Sequence, residues 1–228
     1  MGKVYRSLDT KTNTEVAIKV LTLDPSKYSR RFMREAKVMS RLKHKNIIEY
    51  LGYGQTEEGA PYIVMEWVQG EDLRQRMNRQ AVSLDEALRI ISGLGDALAL
   101  ADKQGIIHRD LKPSNLMLVD SKMDTIKLLD FGIARGSDPD LERMTKTGVS
   151  IGTPGYMAPE QSRGESKIDG RADIYALGCV VYETLVGQRP FRGEDIVAVL
   201  ARGAIEEPPE SAPIVRTSAR HLTIYSPI

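Results

Sequence analysis

Four short stretches hold most of the side chains able to do chemistry. Val16-Ala17-Ile18-Lys19 ends an apolar run in a lysine. His108-Arg109-Asp110-Leu111-Lys112-Pro113-Ser114-Asn115 gathers cations, a carboxylate and an amide. Asp130-Phe131-Gly132 follows the apolar Ile126–Leu129, and Ala158-Pro159-Glu160 closes the series. A lysine ending a strand is ordinarily just solvated, so the first stretch alone says little. Cys179 is the only cysteine, which excludes an intramolecular disulfide and any site built from several thiolates. His44, His108 and His221 are too widely separated to suggest a zinc cluster. Carboxylates, amines and amides remain as the groups available for chemistry.

In this order, and on the element types they fall on, the four stretches resemble the signature set of the protein kinase family. The resemblance runs from Gly2 to about Gly203. Lys112 after Asp110, and Gly152-Thr153-Pro154-Gly155-Tyr156-Met157-Ala158-Pro159-Glu160, look like bacterial Ser/Thr kinases of the eukaryotic-like type rather than tyrosine kinases. The resemblance implies transfer of the γ-phosphoryl group of ATP, with Mg2+, to Ser/Thr hydroxyls of proteins. Such a reaction needs positioning and charge neutralisation more than covalent help.

The resemblance also implies roles, residue by residue. Lys19 grips the ATP phosphates and Glu35 fixes that lysine. Asp110 orients the substrate hydroxyl and accepts its proton, while Lys112 steadies the transferring group. Asp130 and Asn115 supply oxygen ligands for magnesium. Gly2 remains from the phosphate-covering loop; Val4, Ala17 and Met117 enclose adenine, Met65 is the gatekeeper, and the hinge is Glu66-Trp67-Val68. His108 and Asp173 have supporting structural roles, and Thr153 bonds the catalytic aspartate. Arg109 awaits a counter-charge, which phosphate on Thr145 or Thr147 provides.

The elements that must position these groups are partly readable. Glu15–Leu21, Ile47–Tyr53 and Tyr62–Val68 read as strands, with Gly52, Gly54 and Glu57–Pro61 as turns. Arg30–Leu42 reads as a helix, with Phe32, Ala36, Met39 and Leu42 at helical spacing. Ser83-Leu84-Asp85-Glu86 is a capping box, followed by an apolar stripe of Leu84, Leu88, Ile91, Leu98 and Ala101 and a stop at Gly105. Asp173–Val186 is nearly apolar all round and reads as a buried helix; Ile196–Leu200 begins another. The expected fold is α+β and two-lobed. A small β-rich lobe spans 1–65, a hinge 66–70, a mainly helical lobe 71–205 with an activation segment at 130–160, and an irregular tail 206–228.

The resemblance is incomplete at both termini. Only Gly2-Lys3-Val4 matches the glycine-rich loop, and no helical run follows Gly203, so a shortened chain is expected. A catalytically impaired fragment serving as a binding or scaffold module is the alternative to an active enzyme, and a small-molecule kinase of related fold ranks third. Lys and Arg number 32 against 31 Asp and Glu, so net charge gives no argument for a nucleic-acid partner. The longest apolar stretch, Ala176–Val186, contains Glu183 and Thr184 and is too short to span a bilayer. A cytoplasmic protein without a membrane segment is expected, with protein substrates and a second copy of the chain as its partners.

Overall fold

Branched apolar residues at alternate positions build the first sheet. In the computed structural model, which describes residues 2–21, 34–131, 153–207 and 209, strand β1 (Gly2–Asp9) pairs antiparallel with β2 (Thr14–Leu21). Strand β4 (Pro61–Glu66) pairs with the other side of β2, and β3 (Tyr50–Gln55) pairs with β4, giving the order β1-β2-β4-β3. Opposed residues share a face of an antiparallel pair. Val4 opposes Lys19 and Ala17 opposes Met65, so these four lie on one face of the sheet.

Gly52 and Gly54 lie inside β3 and are not turns. A Cβ on Gly54 would meet the Tyr62 hydroxyl at 2.7 Å, so a side chain there would have to displace the end of that ring. Strand β3 also begins later than its apolar run suggests. Residues 46–48 are spent joining the sheet to the rest of the molecule. Ile47 bridges Leu128, the Leu128 amide donates to the Asn46 carbonyl at 2.8 Å, and the Ile48 amide donates to the Leu128 carbonyl at 3.0 Å.

The second sheet has three short strands in the order β5-β6-β7: β5 (Gly70–Asp72), β6 (Leu116–Val119) and β7 (Ile126–Leu128). Residues 34–39 are helical (α1) and bury Ala36 and Met39. Helix α2 (Leu73–Arg79) was not anticipated. Its signal is local: Asp72 caps it, and Gln75, three residues on, bonds back to the Asp72 amide.

Helix α3 (Leu84–Lys103) carries the expected capping box at Ser83 and Glu86. Its buried stripe is Ala87, Ile90, Leu94, Ala97, Leu98 and Ala101, while Leu88 and Ile91 are exposed. The expected stripe is therefore rotated. Helix α3 packs against α5 (Arg171–Val186), and because its buried stripe includes Ala87, Ala97 and Ala101, counting only large side chains selects the wrong face. Helix α5 buries eight of its 16 residues, leaves Ile174 exposed, and ends at Gly187 in the left-handed region. The short α4 (Pro159–Ser162) and α6 (Ile196–Ile205) complete the described helices. Among the described residues, no helix is long and apolar enough to cross a membrane.

Candidate active site

The 108–115 loop is anchored from beneath. Asp173 on α5 accepts the backbone amides of His108 at 2.7 Å and Arg109 at 2.8 Å. Burial pushes the Asp173 carboxyl above its ordinary range, against the pull of nearby positive charge and these amides. The Gln161 side chain donates to the Arg109 carbonyl at 3.2 Å. Held on both sides, Arg109 takes a φ of 65°, in the left-handed region that costs a non-glycine residue energy.

His108 is fully buried and its ring ties the loop to β7. Nε2 donates to the Leu129 carbonyl at 2.7 Å. On its other side, Nδ1 accepts the Asp110 amide at 3.3 Å. The Phe131 ring packs 4.9 Å from the imidazole, centre to centre. The structural roles expected for His108 and Asp173 thus have a direct geometric basis.

Asp110 sits in a closed set of bonds. Thr153 Oγ1 donates to Asp110 Oδ1 at 2.9 Å, and Lys112 Nζ lies 3.0 Å from Asp110 Oδ2 and 3.0 Å from Thr153 Oγ1. The segment around Thr153 is therefore locked to the loop by its side chains. The Asn115 amide donates to the Asp110 carbonyl at 2.8 Å, which leaves Asn115 Oδ1 as that side chain's acceptor. The Asn115 carbonyl accepts the Leu129 amide at 2.8 Å, placing Asn115 beside the approach to Asp130.

Asp130 has a φ of 53°, again left-handed. Its Oδ1 lies 2.6 Å from Lys19 Nζ. Lys19 therefore has Asp130 as a partner in this structure. The turn at Asp130 brings its own carboxylate to the amine, and Lys19 pairs there. Glu35 is half-buried on α1, between the exposed Arg34 and the buried Ala36.

The residues expected around adenine are spread across both sheets. Ala17 and Met65 are buried, Met117 on β6 is half-buried, and Val4 is exposed. Glu66 ends β4, and Val68 packs against the core from the connecting segment. A Cβ on Gly2 would meet the Val20 carbonyl at 2.4 Å, so the adjacent strand itself requires that glycine. Gly132, Thr145 and Thr147 lie outside the described residues. Among the described residues, no carboxylate forms an ion pair with Arg109.

One charged cluster was missed. Arg74 on α2 makes a two-pronged pair with the buried Glu183 on α5, both bonds at 2.9 Å. The Tyr156 hydroxyl donates to the same carboxylate, and Arg189 stacks over the Tyr156 ring at 5.0 Å. The available signal was Glu183 itself, a charge in the largely apolar run that follows Asp173 on α5.

The family model described as "Protein kinase domain" matches residues 1–217. The chain belongs to the protein kinase family. This kinase chain is 42% identical over 217 residues to Serine/threonine-protein kinase pkn3 of Myxococcus xanthus, covering 92% of this chain and 40% of pkn3. It is 39% identical over 229 residues to Serine/threonine-protein kinase PknB of Mycobacterium tuberculosis, covering 97% of this chain and 35% of PknB. The crystal structure of Rad53 in complex with AMP-PNP is similar with a TM-score of 0.72 and 28% identity, covering 89% of this chain and 49% of that one. The kinase chain therefore spans well under half the length of the curated relatives it matches. The kinase fold expected from the motifs is borne out.

Proposed function

We propose that the chain transfers the γ-phosphoryl group of ATP to Ser and Thr hydroxyls of proteins. The observation that carries this reading is the Asp110–Thr153–Lys112 set, a carboxylate and an ammonium held 3.0 Å apart by groups distant in sequence. Asp110 Oδ accepts the proton of the substrate hydroxyl. Its oxygens already take bonds from Lys112 and Thr153, and a carboxylate has lone pairs to spare. Lys112 then offsets charge on the group in transfer, and Lys19 holds the non-transferring phosphates.

The residues fit a hard divalent cation. Asp130 offers a carboxylate whose side chain is 39% exposed, and Asn115 offers an amide oxygen whose partner nitrogen is already bonded. Mg2+ bound there would neutralise phosphate charge during transfer. Val4, Ala17, Met65 and Met117 enclose adenine, the Glu66–Val68 backbone bonds its edge, and Gly2 approaches the phosphates. Glu35 is the proposed second partner of Lys19 once phosphates draw that amine away from Asp130.

Arg109 receives phosphate that a second copy of the chain transfers from ATP to Thr145 or Thr147. The functional units proposed are 1–65, 66–70, 71–205 and 206–228, and the compartment is the cytoplasm.

Incubation with Mg-ATP and a mixed Ser/Thr/Tyr peptide library tests the reading. Phosphate confined to Ser and Thr is the expected result. Phosphotyrosine, or no transfer by protein shown to be folded, overturns it.

A further inference from the structure

Strand β7 reads Ile126-Lys127-Leu128, with a lysine between two fully buried residues. Alternation turns Lys127 to the opposite face from Ile126 and Leu128. In register it opposes Met117 on β6, so the two share a face of the three-stranded sheet. The Lys127 side chain is only 20% exposed, an unusual setting for an ammonium.

Its charge is answered from the other sheet. Lys127 Nζ lies 2.5 Å from Glu66 Oε1, at the end of β4. The same oxygen accepts the Glu49 amide at 2.8 Å, while the Glu66 amide donates to the Glu49 carbonyl at 3.0 Å. Glu66 is therefore fixed through side chain and backbone together. Trp67 and Val68 follow it directly in the chain.

We propose that Lys127 and Glu66 are positioning residues for the nucleotide: their ion pair is a strut between β7 and β4 that sets the backbone of residues 66–68 for the adenine ring. The inference rests on the nucleotide site proposed above. Neither side chain touches the reacting atoms. The pair presets the connecting segment against Met117, on the same sheet face as Lys127, and lowers the ordering cost of binding. The phosphate end of the site, with Lys19, Asp110 and Asp130, does not share these bonds. The strut therefore governs nucleotide affinity and leaves the transfer step alone.

Titration of a fluorescent ATP analogue into wild type, Lys127→Met, Lys127→Arg and Glu66→Gln tests this, with KM for ATP and kcat measured in parallel. Lys127→Met weakens binding roughly five- to tenfold and raises KM by the same factor, with kcat within about twofold. Lys127→Arg recovers most of the affinity. Glu66→Gln keeps an acceptor for the Glu49 amide and reports the loss of charge alone, even if Lys127→Met does not fold. The double variant Lys127→Met/Glu66→Gln is no weaker than the weaker single variant. Wild-type affinity in both Lys127→Met and Glu66→Gln overturns the strut alone. A fall in kcat at unchanged KM also overturns it. Wild-type protein that binds no nucleotide overturns the site reading, and the strut with it.

Discussion

Lys19 and Asp130 form an ion pair at 2.6 Å, between a strand of the first sheet and the turn that follows the second. The proposed chemistry gives these residues separate duties, phosphate for the lysine and a cation for the aspartate. Binding of Mg-ATP must therefore exchange this contact for two new ones.

Either residue alone is then indispensable. Lys19→Met and Asp130→Asn are each expected to lower kcat by roughly 100-fold or more, because charge neutralisation is lost at the transferring group. Steady-state kinetics on the folded variants checks this. Activity near wild type in either variant contradicts the assignment.

Thr153 acts through Asp110, by the 2.9 Å bond to Oδ1. Thr153→Ala is expected to cost about tenfold or more in kcat by freeing the carboxylate, with nucleotide affinity unchanged. Thr153→Ser keeps the hydroxyl and recovers most of the rate. An equal loss in both variants points to the missing methyl group and counts against the bond.

Asp173 satisfies two backbone amides beneath the catalytic loop. Asp173→Ala leaves both donors without their partner and is expected to cost about 2–5 kcal/mol of stability. Denaturant unfolding measures it. A loss below about 1 kcal/mol shows that the loop holds its left-handed turn by other means.

Stability should also fall in acid at the start of α3. The Ser83 amide, then Arg76, holds the Glu86 carboxyl below its ordinary value of 4.5. A lowered folded value stabilises the fold above pH 4.5, and that share is lost as pH falls through it. Glu86→Gln is expected to melt roughly 2–4 °C below wild type at neutral pH, with the gap narrowing as pH falls below 4.5. A gap that does not change with pH assigns the difference to shape and not to charge.

Chemistry was more legible in the sequence than packing. The motifs at Lys19, Asp110 and Asp130 can be read directly because each is a distinctive set of side chains at short, fixed spacings, and the structure brings Lys19 to Asp130. Asp72 and Gln75 announced α2 equally plainly, but a helix this short has no periodicity to draw attention to it. The α3 face was misassigned because buried Ala87, Ala97 and Ala101 carry little weight beside exposed Leu88 and Ile91. Gly52 and Gly54 looked like turns because the Tyr62 ring that crowds Gly54 lies on a different strand. The Lys19–Asp130 contact depends on the backbone turn at Asp130, which residue spacing does not encode.

The most direct test is transfer of labelled γ-phosphate from Mg-ATP to a Ser/Thr protein substrate, wild type beside Asp110→Asn. The substitution keeps the shape of the side chain and removes the proton acceptor. The account predicts transfer by wild type and a loss of roughly 100-fold or more in the variant at similar nucleotide affinity. Equal transfer by both proteins, each shown to be folded, would contradict it.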